Sequence, residues 1–327
     1  MRSLASRGYS STPEIKTGFR LLRTVPHGVP LALVGCGRWG RHVLRDLVAL
    51  QCDVSVVALS GATRAFALAH GATRASADLD ALSPDIAAAV VATPAATHAA
   101  VVEQLLERGI PVFCEKPLVT NGEDARRLAR AAGGRLFVMD KWRYHPGIER
   151  MAEVRRSGEL GRPLGLRTAR LQPGRVHQDI DPVWTLAPHD LSIALEILGD
   201  IPEPQSAVGE RDGDQLLGLA AILGTDPWFT FEVSATHPDY RREARLICEA
   251  GSVSLLGGAI DVLHVVRRGA DGVEQWPVSG ELPLMRELRA FLEYVNGGPS
   301  PRSSVGDAVR SVEVLEALHH MAKQGRT

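Results

Sequence analysis

Two short strings carry most of the chemistry in this chain. The first is Gly35-Cys36-Gly37-Arg38-Trp39-Gly40, directly behind an apolar run at 31–34. A Gly-x-Gly-x-x-Gly loop that closes a strand and opens a helix is a dinucleotide cradle. Gly35 permits the tight turn, Gly37 lets backbone approach a pyrophosphate, and Gly40 lets helix pack on strand. The following helix offers free N–H groups and a positive dipole end to the phosphates, with Arg38 and Trp39 beside them. The second string is Cys114-Glu115-Lys116-Pro117, behind another apolar run at 110–113. Ligands of open α/β sheets lie at the carboxyl edge. A lysine partly desolvated there can hydrogen-bond a substrate oxygen and exchange a proton near neutral pH. Glu115 can hold that ammonium or touch a nicotinamide ribose. Taken alone, Lys116 also fits a solvated loop.

Other residues gather around these strings. An NAD site usually places Asp or Glu about twenty residues past the glycines, for the ribose hydroxyls. Here the second strand ends in Leu59-Ser60-Gly61, followed by Arg64, with no carboxylate to repel a 2′-phosphate. Ser60 can donate a hydrogen bond and Arg64 can supply charge, which favours NADP and leaves NAD open. The alternative is that both are ordinary turn and helix-start residues. Thr93-Pro94 form a turn beside the cofactor, and His98 reads as structural, at the start of its helix. His189-Asp190 stand at the head of an apolar helix, after Trp184 and Pro188. There His189 is either an acid/base group or only a cap. Cys36 and Cys114 read as small apolar fillers.

These residues need a frame. From residue 31 the pattern alternates strand and helix: strands at 31–34, 54–59, 86–91, 111–114 and 136–139, with helices between them. Val43, Leu44, Leu47 and Val48 make the buried face of the first helix, expected over 39–50. Thr97 is a candidate cap for the helix carrying Val101, Val102, Leu105 and Leu106. Thr120 and Glu123 suggest a capping box for the next. Such alternation implies a doubly wound parallel sheet. After Pro146 the texture changes. Helices are expected at 148–156, 190–198, 284–295 and 307–321. Strands are expected at 164–171, 246–255 and 262–267. Phe229, Phe231, Val233 and Ala235 alternate with Thr230, Glu232 and Ser234, so one face is buried and one is wet.

The bulk composition narrows the function classes. The formal net charge of −1 announces no nucleic-acid surface. No apolar run reaches the length of a membrane span. Four cysteines without a CxxC pair or zinc spacing point to a reducing cytoplasm and no metal. Residues 1–28 are basic, with Arg2, Arg7, Lys16, Arg20 and Arg23 against Glu14. They read as a surface leader or as a weak transit signal, with one short helix possible at Thr12-Pro13-Glu14.

With these motifs in hand, the chain resembles the Gfo/Idh/MocA oxidoreductases over about residues 31–321. The carriers are GCGRWG, ATPAATH at 92–98, CEKP, WRYHP at 142–146, WTLAPHD at 184–190 and LRAFLEYVNGG at 288–298. The resemblance implies a Rossmann domain at 29–145 and an α+β domain with a largely antiparallel open sheet at 146–327. It implies reversible hydride transfer between a nicotinamide and a carbinol or carbonyl carbon of a sugar, cyclitol or nucleotide sugar. Lys116 would polarise the substrate oxygen and His189 would relay the proton. Trp142 and Arg143 would border the cofactor; Trp184 and Thr185 would border the substrate. Ser60 matches a serine near the adenosine phosphate. Many members carry Asp four positions before the histidine. Thr185 stands there in this chain and cannot act as a base near neutral pH. Lys116, His189 and Asp181 or Asp190 must then do the proton work. That departure leaves a second class open, a cofactor-binding regulatory protein without turnover. A homodimer or tetramer is expected, formed through the sheet around 228–234.

Overall fold

The computed structural model describes residues 28–174, 180–213, 215–258 and 262–324. The leader, apart from Gly28, lies outside the described residues, and so does its expected helix at Thr12-Pro13-Glu14.

The first sheet is built from β1 (Pro30–Val34), β2 (Asp53–Val57), β3 (Arg74–Ser76), β4 (Ala88–Val91), β5 (Val112–Glu115) and β6 (Leu136–Met139). All pair in parallel, in the order β3-β2-β1-β4-β5-β6. The central strands β1, β4, β5 and β6 are nearly continuous apolar runs, because helices cover both faces. Those helices are α1 (Gly40–Ala49), α2 (Gly61–Ala69), α3 (His98–Glu107) and α4 (Gly122–Ala132). The strand order reverses between β1 and β4, the crevice where a dinucleotide lies in such folds.

Local details differ from the expected caps. Asn121, not Thr120, caps α4 by accepting from the Asp124 N–H at 2.8 Å. The Thr97 hydroxyl donates to the Pro94 carbonyl at 2.7 Å and makes no cap. The alternation left the bounds of α2 open and gave no sign of β3. Ser60 starts α2 by accepting from the Thr63 N–H, a signal hidden by its glycine and alanine neighbours.

The second sheet has eight strands: β7 (Pro163–Pro173), β8 (Pro204–Asp212), β9 (Gln215–Leu223), β10 (Trp228–Ser234), β11 (Thr236–Cys248), β12 (Gly251–Leu256), β13 (Val262–Arg267) and β14 (Glu274–Pro277). Only β10 and β7 pair in parallel; the other pairings are antiparallel. The strand expected at 246–255 is two strands, the end of β11 and the start of β12. One row of directly opposed residues, Leu223, Phe229, Leu166, Leu246, Val253 and Val265, is wholly buried. It packs toward α5 (Pro146–Ser157) and α6 (Pro182–Leu198). The row on the other face runs Val208, Ala220, Glu232, Ala169, Glu243 and Leu256 and contains exposed residues.

The expected division at residue 145 is crossed by the last two helices, α7 (Pro283–Val295) and α8 (Val305–Gln324). Leu284, Leu288, Phe291 and Leu292 of α7 belong to the core of the first sheet. Phe291 stacks on Phe113 with ring centroids 5.0 Å apart. Without α7 the β5 and β6 side chains it covers, Phe113 and Phe137, would be wet, and each such side chain contributes about 1.5–3 kcal/mol on burial. The helix α8 packs on α4, α6 and β8. No described helix is long and apolar enough to cross a membrane.

Candidate active site

The glycine loop fits a dinucleotide. Gly35 adopts φ +91°, and a Cβ there would fall 2.6 Å from the Ala92 carbonyl oxygen. A Cβ on Gly40 would fall 2.3 Å from the Gly35 carbonyl oxygen, so α1 can approach β1 only with glycine there. Gly37 is exposed, and a Cβ on it would meet nothing within 4 Å. The first and third glycines thus serve the fold, and the second leaves backbone open to a pyrophosphate. Arg38 is exposed beside it, and Trp39 is half-buried.

The carboxyl ends of β1 and β2 form a basic corner. Arg64 donates through Nη1 to the Ala58 and Leu59 carbonyls, each at 2.7 Å, which leaves Nε and Nη2 available. The Arg41 guanidinium lies 4.0 Å above the Phe66 ring, between α1 and α2. Leu59 is 90 % exposed, and the segment from Ala58 to Arg64 holds no carboxylate.

His98 ties two turns together. Its Nδ1 lies 2.9 Å from the Pro117 carbonyl oxygen and its Nε2 lies 2.9 Å from the Thr93 carbonyl oxygen. The ring is buried within the scaffold, where it joins the Thr93 and Pro117 turns. The Thr93 hydroxyl accepts from Thr97 at 2.8 Å, beside Pro94.

At the far edge of the sheet, β5 ends in Glu115-Lys116 and β6 is followed by Asp140-Lys141, with Glu115 opposite Met139 in register. Lys116 donates to the Thr185 carbonyl oxygen at 2.9 Å, across the gap between the sheets. Burial pushes its ammonium pKa down, opposed by Glu115. Burial raises Glu115, opposed by Lys116 and Lys141. Lys141 sets its ammonium 4.7 Å from the Trp39 ring centre, over the glycine loop.

His189 does not stand at a helix head. The helix starts at Pro182, with Asp181 as cap, accepting from the Val183 N–H at 2.9 Å and the Trp184 N–H at 3.2 Å. Pro188 lies within α6 and removes one N–H from its ladder. His189 follows in mid-helix. Its Nδ1 is buried with no hydrogen-bond partner among the described residues. Burial holds its pKa well below the ordinary value, and the charges of Lys116, Arg170, Lys141 and Arg242 push the same way. It is neutral at physiological pH. Asp190 pairs with Arg170 at 2.8 Å, both buried. The Arg170 guanidinium lies 4.7 Å over Trp142, which stacks on His145.

Several expected site residues serve elsewhere. Arg143 is held by Glu196 at 3.2 Å and Asp307 at 2.8 Å, which join the site to α6 and α8. Trp184 stacks on His319 of α8 at 5.3 Å. The Asp181 carboxylate caps its helix and lies 3.7 Å from the His319 ring. Thr185 contributes its carbonyl to Lys116, while its buried hydroxyl has no partner among the described residues. Cys36 and Cys114 are buried.

Sequence reasoning missed Asp140, Lys141, Arg170, Arg242 and Glu287. Asp140-Lys141 was findable, since it follows a parallel strand at its carboxyl end as Glu115-Lys116 does. Arg170 and Arg242 lie opposite each other on β7 and β11, and no local pattern marks them. Glu287 sits on α7 with both carboxylate oxygens buried and unpartnered.

The parallel sheet, its glycine cradle and the charged edge define a nicotinamide-dinucleotide oxidoreductase of Rossmann type. The profile of the "Oxidoreductase family, NAD-binding Rossmann fold" (GFO_IDH_MocA) matches residues 29–136. The UDP-N-acetylglucosamine 3-dehydrogenase of Acidithiobacillus ferrooxidans is 30 % identical over 299 residues, covering 87 % of this chain and 93 % of that protein. The D-apiose dehydrogenase of Paraburkholderia graminis is 26 % identical, over 90 % of this chain and 88 % of that one. The chain belongs to the Gfo/Idh/MocA oxidoreductase family. Two solved structures share its fold. A levoglucosan dehydrogenase complexed with NADH has a TM-score of 0.82 at 17 % identity, covering 91 % of this chain and 98 % of that one. A 3-ketoreductase from Actinomadura kijaniata, complexed with TDP-benzene and NADP, has a TM-score of 0.81 at 22 % identity, covering 90 % and 98 %.

Proposed function

We propose that this chain interconverts a hydroxyl and a keto group on a sugar, cyclitol or nucleotide sugar, with preference for NADP. The observation that carries the reading is the 2.9 Å contact from Lys116 to the Thr185 carbonyl, on the helix that bears His189. It supports pairing the sheet-edge lysine with the neutral imidazole, whose pKa the Lys116 charge helps to lower. The bound nicotinamide supplies or accepts the hydride. Lys116 polarises the substrate oxygen, giving it a proton in reduction and taking one in oxidation. Neutral His189 orients the substrate and relays protons through Nε2. Burial lowers the Lys116 ammonium, which eases release of its proton to the substrate oxygen, and keeps His189 neutral.

The cofactor preference rests on the basic corner. Arg64 is anchored through one nitrogen and keeps two for a 2′-phosphate, and Arg38 and Arg41 add charge at the start of α1. Relatives with NADH and with NADP are both known in this fold. The open face of the second sheet bears Val208, Ile222, Leu256 and Val266, each more than 40 % exposed. It supports a homodimer or tetramer through a face that includes Thr230 and Glu232, testable by light scattering at micromolar concentration. A cytoplasmic site of action follows from the cysteine usage.

The test begins with fluorescence titration of NADPH and NADH. NADP+ and NAD+ are then offered UDP-N-acetylglucosamine, inositol, D-apiose and levoglucosan, and reduction is followed by absorbance. Turnover with any of them, faster with NADP+, is expected. Binding of neither cofactor would overturn the reading.

A further inference from the structure

We infer that Asp140 is the proton partner of Lys116, joined to it through one water in the cavity between β6, the Lys116–Pro117 turn, α6 and α8. The inference deepens the reading of Lys116 given above and rests on it.

The cavity measures about 20 Å³ and is lined by the polar residues Lys116, Asp140 and Ser311, with Pro188, Val312 and Leu315 among its apolar walls. A water needs roughly 10–15 Å³ and two to four polar partners, so one fits. Asp140 is 6 % exposed, no side-chain hydrogen bond or ion pair of it is found among the described residues, and its carboxylate oxygens are not among the wholly enclosed unpartnered atoms. An unpartnered buried carboxylate is costly unless it is protonated or hydrated. This one lines a space of the size that hydrates it. Lys116 borders the same space from the neighbouring strand end, while its ammonium reaches α6 on the substrate side.

The surrounding charges agree. Burial raises the Asp140 carboxyl to about 7, with Arg143 on its own turn and Lys116 from β5 opposing, and Glu115 from β5 and Asp307 from α8 reinforcing. Burial lowers Lys116, and Asp140 opposes that shift. An acid pushed up and an ammonium pushed down narrow the gap that proton exchange between them must cross.

The transfers balance. In reduction, Lys116 gives one proton to the substrate oxygen and becomes the neutral amine. The water then gives one proton to the amine and takes one from the Asp140 carboxyl, leaving the carboxylate. Solvent returns a proton to the carboxylate before the next turnover. Oxidation runs each transfer in reverse. Asp140 never touches the reacting carbon; it is a positioning residue that acts through Lys116.

The experiment uses the full chain without substrate. The Lys116 Nζ is titrated by NMR of ¹⁵N-lysine-labelled protein, assigned with Lys116→Met. The Asp140 carboxyl band is titrated by infrared difference spectroscopy against Asp140→Asn. Two groups sharing a water titrate as a pair. Asp140→Asn should lower the Lys116 midpoint by about one pH unit, and Lys116→Met should raise the Asp140 midpoint similarly. A crystal structure should show one water within hydrogen-bond distance of both groups. On any substrate found, Asp140→Asn should lower kcat about tenfold or more and remove the near-neutral limb of its pH profile, with KM little changed. Independent titrations, a dry cavity, or an unaltered pH profile in a variant that stays folded would each overturn the relay. Absence of turnover on every compound offered would count against the functional reading alone, because the titrations decide the relay without it.

Discussion

Two acid–lysine pairs sit at the ends of neighbouring parallel strands, Glu115-Lys116 after β5 and Asp140-Lys141 after β6. They are alike in sequence and a strand's width apart, yet they face different neighbours. Lys116 turns toward α6 and the Thr185 carbonyl. Lys141 turns back over the Trp39 ring and the cofactor loop. Both acids are raised by burial, Asp140 to about 7, but for Glu115 the two neighbouring ammonium groups oppose the rise. A side chain's chemistry at a sheet edge is therefore set by what the next layer presents, and similar dipeptides take different work.

The largest effect that separates the pairs should be on turnover. Lys116→Ala should lower kcat by about 10²–10⁴-fold and leave NADPH affinity nearly unchanged, the range of one positioned acid–base group. Lys141→Ala should instead weaken cofactor binding and spare kcat, a split read by steady-state kinetics beside fluorescence titration. Equal losses of kcat in the two variants would erase the distinction.

Stability against pH should separate the acids next. An ordinary Asp titrates near 3.9, so between about 4 and 7 folded Asp140 keeps a proton that the unfolded chain has lost. Stability then falls as pH rises through that window. Asp140→Asn should remove the loss and gain roughly 1–4 kcal/mol at pH 8 relative to pH 4, measured by urea unfolding. His189 has the opposite sign. Its folded pKa is depressed, so stability is lost as pH falls through the ordinary histidine value near 6.5, and His189→Gln should flatten that slope.

Arg143 sharpens the comparison from outside the pairs. Its guanidinium joins Glu196 and Asp307, so Arg143→Ala should cost about 1.5–3 kcal/mol of stability, typical of charge-assisted bonds. Thermal unfolding checks this, and NADPH affinity should hold. The smallest effect belongs to the basic corner. Arg64→Ala should weaken NADPH by one phosphate contact, also about 1.5–3 kcal/mol, partly offset by Arg38 and Arg41, and leave NADH unaffected. A parent protein that prefers NADH would remove the basis for this effect.

Much of the first sheet was legible because its strands are short apolar runs that stop at glycine or proline. The glycine loop was legible because its steric demands are local: Gly35 and Gly40 meet backbone a few residues or one strand away. The His189 helix was misread at its start because Pro188 normally marks a beginning, and here it interrupts a helix already capped by Asp181. The division of domains was drawn too simply, since the apolar stripe of α7 does not say which sheet it will cover.

What the sequence by itself determined is the parallel sheet, the dinucleotide loop and the presence of a lysine at the edge where ligands lie. These follow from hydrophobic period and from backbone sterics, which act over a few residues. Only the tertiary structure decided which charges meet. Arg170, Arg242, Asp190 and Lys116 come from two sheets and the helix between them. Asp140 became an acid near neutrality because four separate elements enclose it. Burial and Coulomb interaction depend on distance through space and on the local dielectric, and neither is written in the spacing of residues along a chain.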